Sequence, residues 1–277
     1  MLRFSQVDVF GSRAWRGNPV AVVHDAVDVP DEEMAAFARW TNLSETTFLL
    51  PPTDSAADYR LRIFTPGSEL PFAGHPTLGS AAAWLAAGGT PARAGTLVQE
   101  CGAGLVELRL DPRPAFAAPP LVRSGPVADE DLAAIGRALR VAPDAFLDAR
   151  WVDNGPGWVG VRLGWADQVL ALEPDWSLFG DLKIGVVGPH DAGDPRGPHV
   201  EVRAFCPQYG IPEDPVTGSL NAGLGQWLTG DGTLPASYVA AQGTALGRAG
   251  RVHVDREGDT VWVGGDCAVA IRGEVAL

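Results

Sequence analysis

Apolar and polar residues alternate along Tyr59-Arg-Leu-Arg-Ile-Phe64 and along His199-Val-Glu-Val-Arg-Ala-Phe205, the period of a strand with one buried face. A shorter apolar run, Thr46 to Leu50, predicts a further strand. Each alternating segment leads through a turn-rich stretch into a segment dominated by Gly, Ala, Leu and Trp, at 76–87 and again at 219–229. Such small residues suit a buried helix that other backbone approaches closely. Strands follow once more, at Leu105–Leu110, Arg251–Asp255 and Thr260–Gly264. Two surface helices are predicted at Asp31–Trp40 and Asp129–Leu139, because each opens on carboxylates that satisfy free N–H groups and the helix dipole.

The pattern repeats. Arg62-Ile-Phe64-Thr-Pro66 returns as Arg203-Ala-Phe205-Cys-Pro207, 141 positions on (62 to 203), and Pro71 has a counterpart in Pro212. Trp84-Leu85 matches Trp227-Leu228 and Gln99 matches Gln242 at an offset of 143 (84 to 227). The change of offset is assigned to extra residues in Glu213-Asp-Pro-Val-Thr-Gly-Ser219. A chain of 277 residues is long enough for two such domains. Pro112-Arg-Pro-Ala-Phe-Ala-Ala-Pro-Pro120 cannot continue a central strand or a helix, so the junction is placed there. The domains expected are 1–118, joined by a returning strand at about 268–277, and 119–267. A second Gly/Pro-rich stretch, 188–198, reads as a surface loop inside the second domain.

Composition narrows the function classes. With 46% hydrophobic residues the chain can bury substantial cores, yet no run reaches the roughly 20 apolar residues a bilayer helix needs. The N-terminus has no apolar stretch before a small-residue cleavage site, so a cytoplasmic location is expected and no membrane association. Net charge is −13, and no Lys/Arg cluster offers a dock for a phosphate backbone, which argues against a nucleic-acid partner. Three cysteines with no Cys-x-x-Cys pair suit a reducing compartment and exclude a disulfide scaffold.

Several chemistries lack their motif. Gly102-Ala-Gly104 has Glu107 where a dinucleotide fingerprint needs its third glycine, no phosphate-binding loop occurs, and Lys183 is the only lysine. The histidines and cysteines have no metal-ligand spacing, so neither metal nor cofactor is expected. Three polar stretches beside the buried helices remain. Glu45 stands at the mouth of the strand Thr46–Leu50, where desolvation can tune a carboxyl for moving protons; a solvated turn residue is the alternative. His75 precedes Pro76, suited to a first helical position, and is placed either to face an anion or to cap. Asp214, Thr217 and Ser219 precede or open the second buried helix, as turn and cap or as substrate contacts. If the halves are pseudo-symmetric, two helix N-termini would face one another across a small carboxylate or developing enolate.

These residues resemble the PhzF family of phenazine-biosynthesis isomerases: Gly17-Asn-Pro-Val-Ala-Val-Val23, Asn42-Leu-Ser-Glu-Thr-Thr-Phe48, Arg62-Ile-Phe-Thr-Pro66, Glu69-Leu-Pro-Phe-Ala-Gly-His-Pro76, Glu213-Asp-Pro-Val-Thr-Gly-Ser219 and Gln242-Gly-Thr-Ala-Leu-Gly-Arg248, in order and nearly end to end. The resemblance implies an α+β fold of two pseudo-symmetric diaminopimelate epimerase-like domains, each a curved, mostly antiparallel sheet wrapped around a central helix, with the site between them. In the family's phenazine enzyme a glutamate moves a proton from C3 to C5 of trans-2,3-dihydro-3-hydroxyanthranilate without a cofactor. By motif Glu45 is that acid/base, His75 and Asp214 join it, and Gly74, Gly218, Ser219, Asn18 and Ser44 are substrate contacts. A small carboxylate substrate and a homodimer are implied.

Related racemases carry a cysteine pair at the starts of the two central helices, places that Gly74 and Gly218 take here. Those glycines argue against cysteine-pair racemisation, so an amino-acid racemase or epimerase is only the second reading, and a non-catalytic binding protein on the same scaffold the third.

Overall fold

The computed structural model describes residues 1–191, 197–209 and 211–277. The chain divides into two units, Met1–Ala117 with Gly264–Leu277, and Ala118–Val263.

The first unit contains β1 (Leu2–Val9), β2 (Asn18–Val23), α1 (Asp31–Thr41), β3 (Thr46–Leu50), β4 (Tyr59–Phe64), β5 (Glu69–Leu70), α2 (Gly74–Ala86), β6 (Thr96–Cys101), β7 (Gly104–Arg109) and β8 (Ala115–Ala117). The C-terminal strand, Cys267–Val275, lies antiparallel on β1, followed in the sheet by β2, β3, β4, β6, β7 and β8. Neighbours are antiparallel except β2 with β3 and β4 with β6, the two places where a helix crosses over.

The second unit contains β9 (Arg123–Pro126), α3 (Asp129–Leu139), β10 (Asp148–Asp153), β11 (Trp158–Arg162), α4 (Ala166–Leu170), β12 (Lys183–Pro189), β13 (Val200–Cys206), β14 (Ile211–Asp214), α5 (Gly218–Gly230), β15 (Ser237–Gln242), β16 (Gly250–Glu257) and β17 (Thr260–Gly264), before the C-terminal strand, β18. Its sheet runs β9, β10, β11, β12, β13, β15, β16, with parallel pairs again only at β11–β12 and β13–β15. Both units therefore have the diaminopimelate epimerase-like pairing scheme.

In each unit one helix is central. Val9 and Val20 lie against Gly79 of α2, where an added Cβ would come within 2.3 Å of Val20. Val23 and Phe48 pack with Met34 and Phe37 of α1. Val20 and Val23 are an odd number of residues apart and point to opposite faces, so β2 is buried on both sides and reads as an unbroken apolar run. In the second unit Gly160 and Gly185 stand opposite each other on β11 and β12, and an added Cβ would meet Leu224 or Trp227 and Leu220 of α5. Gly223 lets α5 approach β10 so closely that a Cβ would lie 2.3 Å from the Val152 carbonyl oxygen.

The repeat has a physical content. Arg62 lies over the Phe64 ring and chelates Glu69 through Nε and Nη2; Arg203 lies over Phe205 and chelates Glu213 in the same way. Phe64 pairs with Glu69 and Phe205 with Glu213, so from that turn onward the offset is 144 (69 to 213). Pro71 therefore corresponds to Pro215, not Pro212, and the extra residues lie before Glu213, in the connection from β13. Trp84 and Trp227 fall one residue out of step along their helices.

Other details also depart from expectation. α2 begins at Gly74, two residues early, which makes Pro76 its third residue; this costs nothing, because an N–H there has no intrahelical partner. Gly188 and Pro189 end β12 instead of opening a loop, and 192–196 of that stretch lie outside the described residues. Core packing is what the sequence suggests for Trp151, Trp158, Trp165 and Trp176, with pocket lining as the alternative; Trp158 is buried, but Trp165 and Trp176 are 57% and 42% exposed.

Candidate active site

The sequence-predicted residues fall into two groups, one in each unit. In the first, Glu45 ends the turn between α1 and β3, and the motif around it is a set of clamps. Asn42 adopts the left-handed conformation (φ 53°) that stops α1. The Thr41 and Thr46 hydroxyls bond across the turn at 2.8 Å. Thr47 donates to the Ala21 carbonyl at 3.1 Å and meets Ser80 of α2 at 2.9 Å. The turn is thereby tied to β2 and to the central helix.

His75 is the second residue of α2, and its Nδ1 lies 3.4 Å from Glu45 Oε2. Burial pushes its pKa down to about 3, against a smaller opposing effect of the Pro19 carbonyl. The contact is thus between a carboxyl group and a neutral imidazole, whose hydrogen bond is to the Pro19 carbonyl. Asn18 opens β2 next to Pro19 and is buried. The loop that delivers it is held by Asp8, whose Oδ2 accepts the N–H groups of Arg16 at 2.8 Å and Gly17 at 2.9 Å. Gly74, the first residue of α2, lies under Phe116, where a Cβ would come within 2.4 Å of the ring. Ser44 is half-buried beside Glu45.

In the second unit Asp214 ends β14 and Gly218 begins α5. Thr217 occupies the N-cap position, but its hydroxyl donates to Asp214 Oδ2 at 2.6 Å and makes no capping bond. Gln242 supplies the cap: its Oε1 accepts from the Thr217 N–H at 3.0 Å and from Asn221 Nδ2 at 2.8 Å. Gln99 contacts the corresponding position in the first unit, donating at 3.0 Å to Thr77, the fourth residue of α2 as Asn221 is of α5, but it does not cap the helix. Ser219 is half-buried; its hydroxyl accepts from Trp158 Nε1 at 3.0 Å and its carbonyl from Asn154 Nδ2 at 2.9 Å. Sequence reasoning missed Asp8 and Asn154 as parts of these sites and read Trp158 first as core packing; the Gln99/Gln242 match in the repeat and the motif that opens on Gln242 pointed to the glutamines.

The cysteines are elsewhere. Cys206 is buried in β13, Cys101 ends β6, and burial pushes the Cys267 thiol up to about 12. Among the described residues no group of three or more His, Cys, Asp or Glu is arranged to hold a metal ion, and no helix is long and apolar enough to cross a membrane.

The profile of the phenazine biosynthesis-like protein family (PhzC-PhzF) matches residues 7–276. The chain belongs to this family. It is 34% identical to the trans-2,3-dihydro-3-hydroxyanthranilate isomerase of Pseudomonas aeruginosa, over 100% of both chains. It is 36% identical to the Schizosaccharomyces pombe protein named Antisense-enhancing sequence 1, over 98% of this chain and 97% of that one. Among solved structures, a PhzF-family phenazine biosynthesis protein of Enterococcus faecalis superposes with a TM-score of 0.82 at 25% identity, covering 100% of this chain and 99% of that one. The PhzF family is one of isomerases, and this chain is an isomerase.

Proposed function

We propose that this PhzF-family isomerase moves a proton along a small conjugated, cyclic carboxylate of the trans-2,3-dihydro-3-hydroxyanthranilate type, with Glu45 as both base and acid. The observation that carries the reading is Glu45 Oε2 at 3.4 Å from a His75 that burial keeps neutral. A neutral imidazole beside the carboxylate spares it the full charge pairing that would quench it as a base.

The ionised Glu45 takes a proton from C3, the C–H electron pair delocalises through the conjugated system, and the glutamic acid, its carboxyl hydrogen exchanging with solvent, delivers a proton at C5. The resulting enol tautomerises to a ketone. No atom or electron is gained or lost, so the reaction needs no cofactor. His75 and Asp214 join Glu45 in this reading, and Gly74, Gly218, Ser219, Asn18 and Ser44 are read as substrate contacts. The 34% identity to an enzyme named for this isomerisation supports the substrate type. A homodimer accompanies the reading, and sedimentation of the purified protein tests it. Racemisation by a cysteine pair is disfavoured, because glycines begin α2 and α5.

The test is incubation with trans-2,3-dihydro-3-hydroxyanthranilate in D2O, without added metal or nucleotide, followed by NMR. Turnover with deuterium at the new methylene is expected, with Glu45→Gln slower by roughly 100- to 10,000-fold. Glu45→Gln turning over at the wild-type rate would refute the assignment of the base.

A further inference from the structure

Ser219 is held twice by one turn. Between β10 and β11, Asp153 Oδ1 accepts the N–H groups of Gly155 at 2.7 Å and Gly157 at 2.6 Å. Both glycines have positive φ, 131° and 92°, a backbone region that other residues rarely enter. The turn so fixed presents Asn154 and Trp158, and these two side chains bond the carbonyl and the hydroxyl of Ser219 respectively.

The direction of the second bond is not a matter of choice. An indole N–H can only donate, so Ser219 Oγ must accept. Its own hydrogen is left over, and among the described residues no group accepts it. Trp158 is 3% exposed and its ring is fixed by packing, so the donor cannot swing away.

We propose that Trp158 is a positioning residue for catalysis: it presets the Ser219 hydroxyl as a hydrogen-bond donor, directed at an anionic oxygen of the substrate, and so contributes to selection of carboxylates. Without it the hydroxyl rotates, and part of its binding energy is lost to orienting it. The proposal rests on the reading of Ser219 as a substrate contact, and goes beyond it by assigning the cause of that residue's donor character. Asn154 supports the same geometry by fixing the backbone from which the hydroxyl projects.

Steady-state kinetics of wild type, Trp158→Phe, Ser219→Ala and the double variant, with trans-2,3-dihydro-3-hydroxyanthranilate, provide the test. Ser219→Ala is expected to raise KM about tenfold or more, the value of a hydrogen bond to a charged group. Trp158→Phe keeps the ring but removes the N–H, and is expected to raise KM about three- to tenfold with a smaller change in kcat. The double variant should be no worse than Ser219→Ala, since the indole acts through the hydroxyl.

Additive effects in the double variant, or an unchanged KM in Trp158→Phe while Ser219→Ala raises it, would overturn the proposal and leave the substrate-contact reading intact. If Ser219→Ala itself leaves KM unchanged, that reading fails and the proposal with it. Should Trp158→Phe fail to fold, the 15N-labelled indole resonance of Trp158 provides a second measurement in Glu45→Gln, which keeps substrate unreacted. Substrate should shift that resonance, and adding Ser219→Ala should abolish the response; a response that survives the loss of Ser219 refutes the coupling.

Discussion

Burial sets the protonation state of His75. Its pKa is about 3 in the folded chain and near 6.5 when exposed, so the folded value lies below the unfolded one. As pH falls through 6.5 the unfolded chain takes up a proton that the folded chain refuses. The stability due to His75 is therefore complete above about pH 6.5 and drains away toward pH 3. Urea unfolding between pH 7 and 4 should show a steeper loss for wild type than for His75→Asn. His24, also lowered by burial, titrates in both proteins and cancels in the comparison. Equal slopes would mean that His75 is not held neutral. The residue type and its place before a proline were legible in the sequence; its neutrality was not, because desolvation depends on everything packed around the ring. The sequence likewise marked Glu45, but its partner at 3.4 Å is 30 positions away (45 to 75) and only the packing of α2 brings the two together.

The elements show where pattern suffices. Asp31–Thr41 and Asp129–Leu139 were readable to within a residue, since acidic first turns are local signals. The central helices were readable as buried and close to other backbone, and Gly223 shows how close. An added Cβ there would stand 2.3 Å from the Val152 carbonyl oxygen, which belongs to a strand and cannot give way like a flexible side chain. Gly223→Ala is expected to destabilise the second unit by about 1–3 kcal/mol despite the higher helix propensity of alanine. Chemical denaturation measures it, and an unchanged or raised midpoint would show that the approach is looser than described. Register was less legible. Matching Pro71 to Pro212 looked natural along the sequence, but the Arg62–Glu69 and Arg203–Glu213 chelates place the offset change earlier. Paired side chains identify equivalent positions; a recurring proline does not.

Over the whole molecule, the chain's last strand belongs to its first unit. β18 pairs with β1 from Leu2↔Val275 to Val9↔Cys267 and covers what would otherwise be an open sheet edge. Deleting residues 267–277 should cost β1 to β4 much of their protection in hydrogen exchange, while β10 to β13 keep theirs. Equal loss of protection in the two units would contradict the division at Ala117 and Gly264. Burial on both sides of β2 explains why its sequence does not alternate, and the paired glycines of β11 and β12 explain how α5 lies against the second sheet.

The sequence by itself determined the repeat, the strand and helix types and the family, and it singled out Glu45, His75, Asp214 and Ser219 as candidates, because periodicity and motif are local and survive being read in one dimension. Tertiary structure alone decided that His75 is neutral, that Gln242 and not Thr217 caps α5, and that Trp158 reaches Ser219 instead of only filling the core. Each of those depends on atoms far apart in the chain meeting within about 3 Å in a place from which water is excluded, and such meetings leave no trace in spacing or composition.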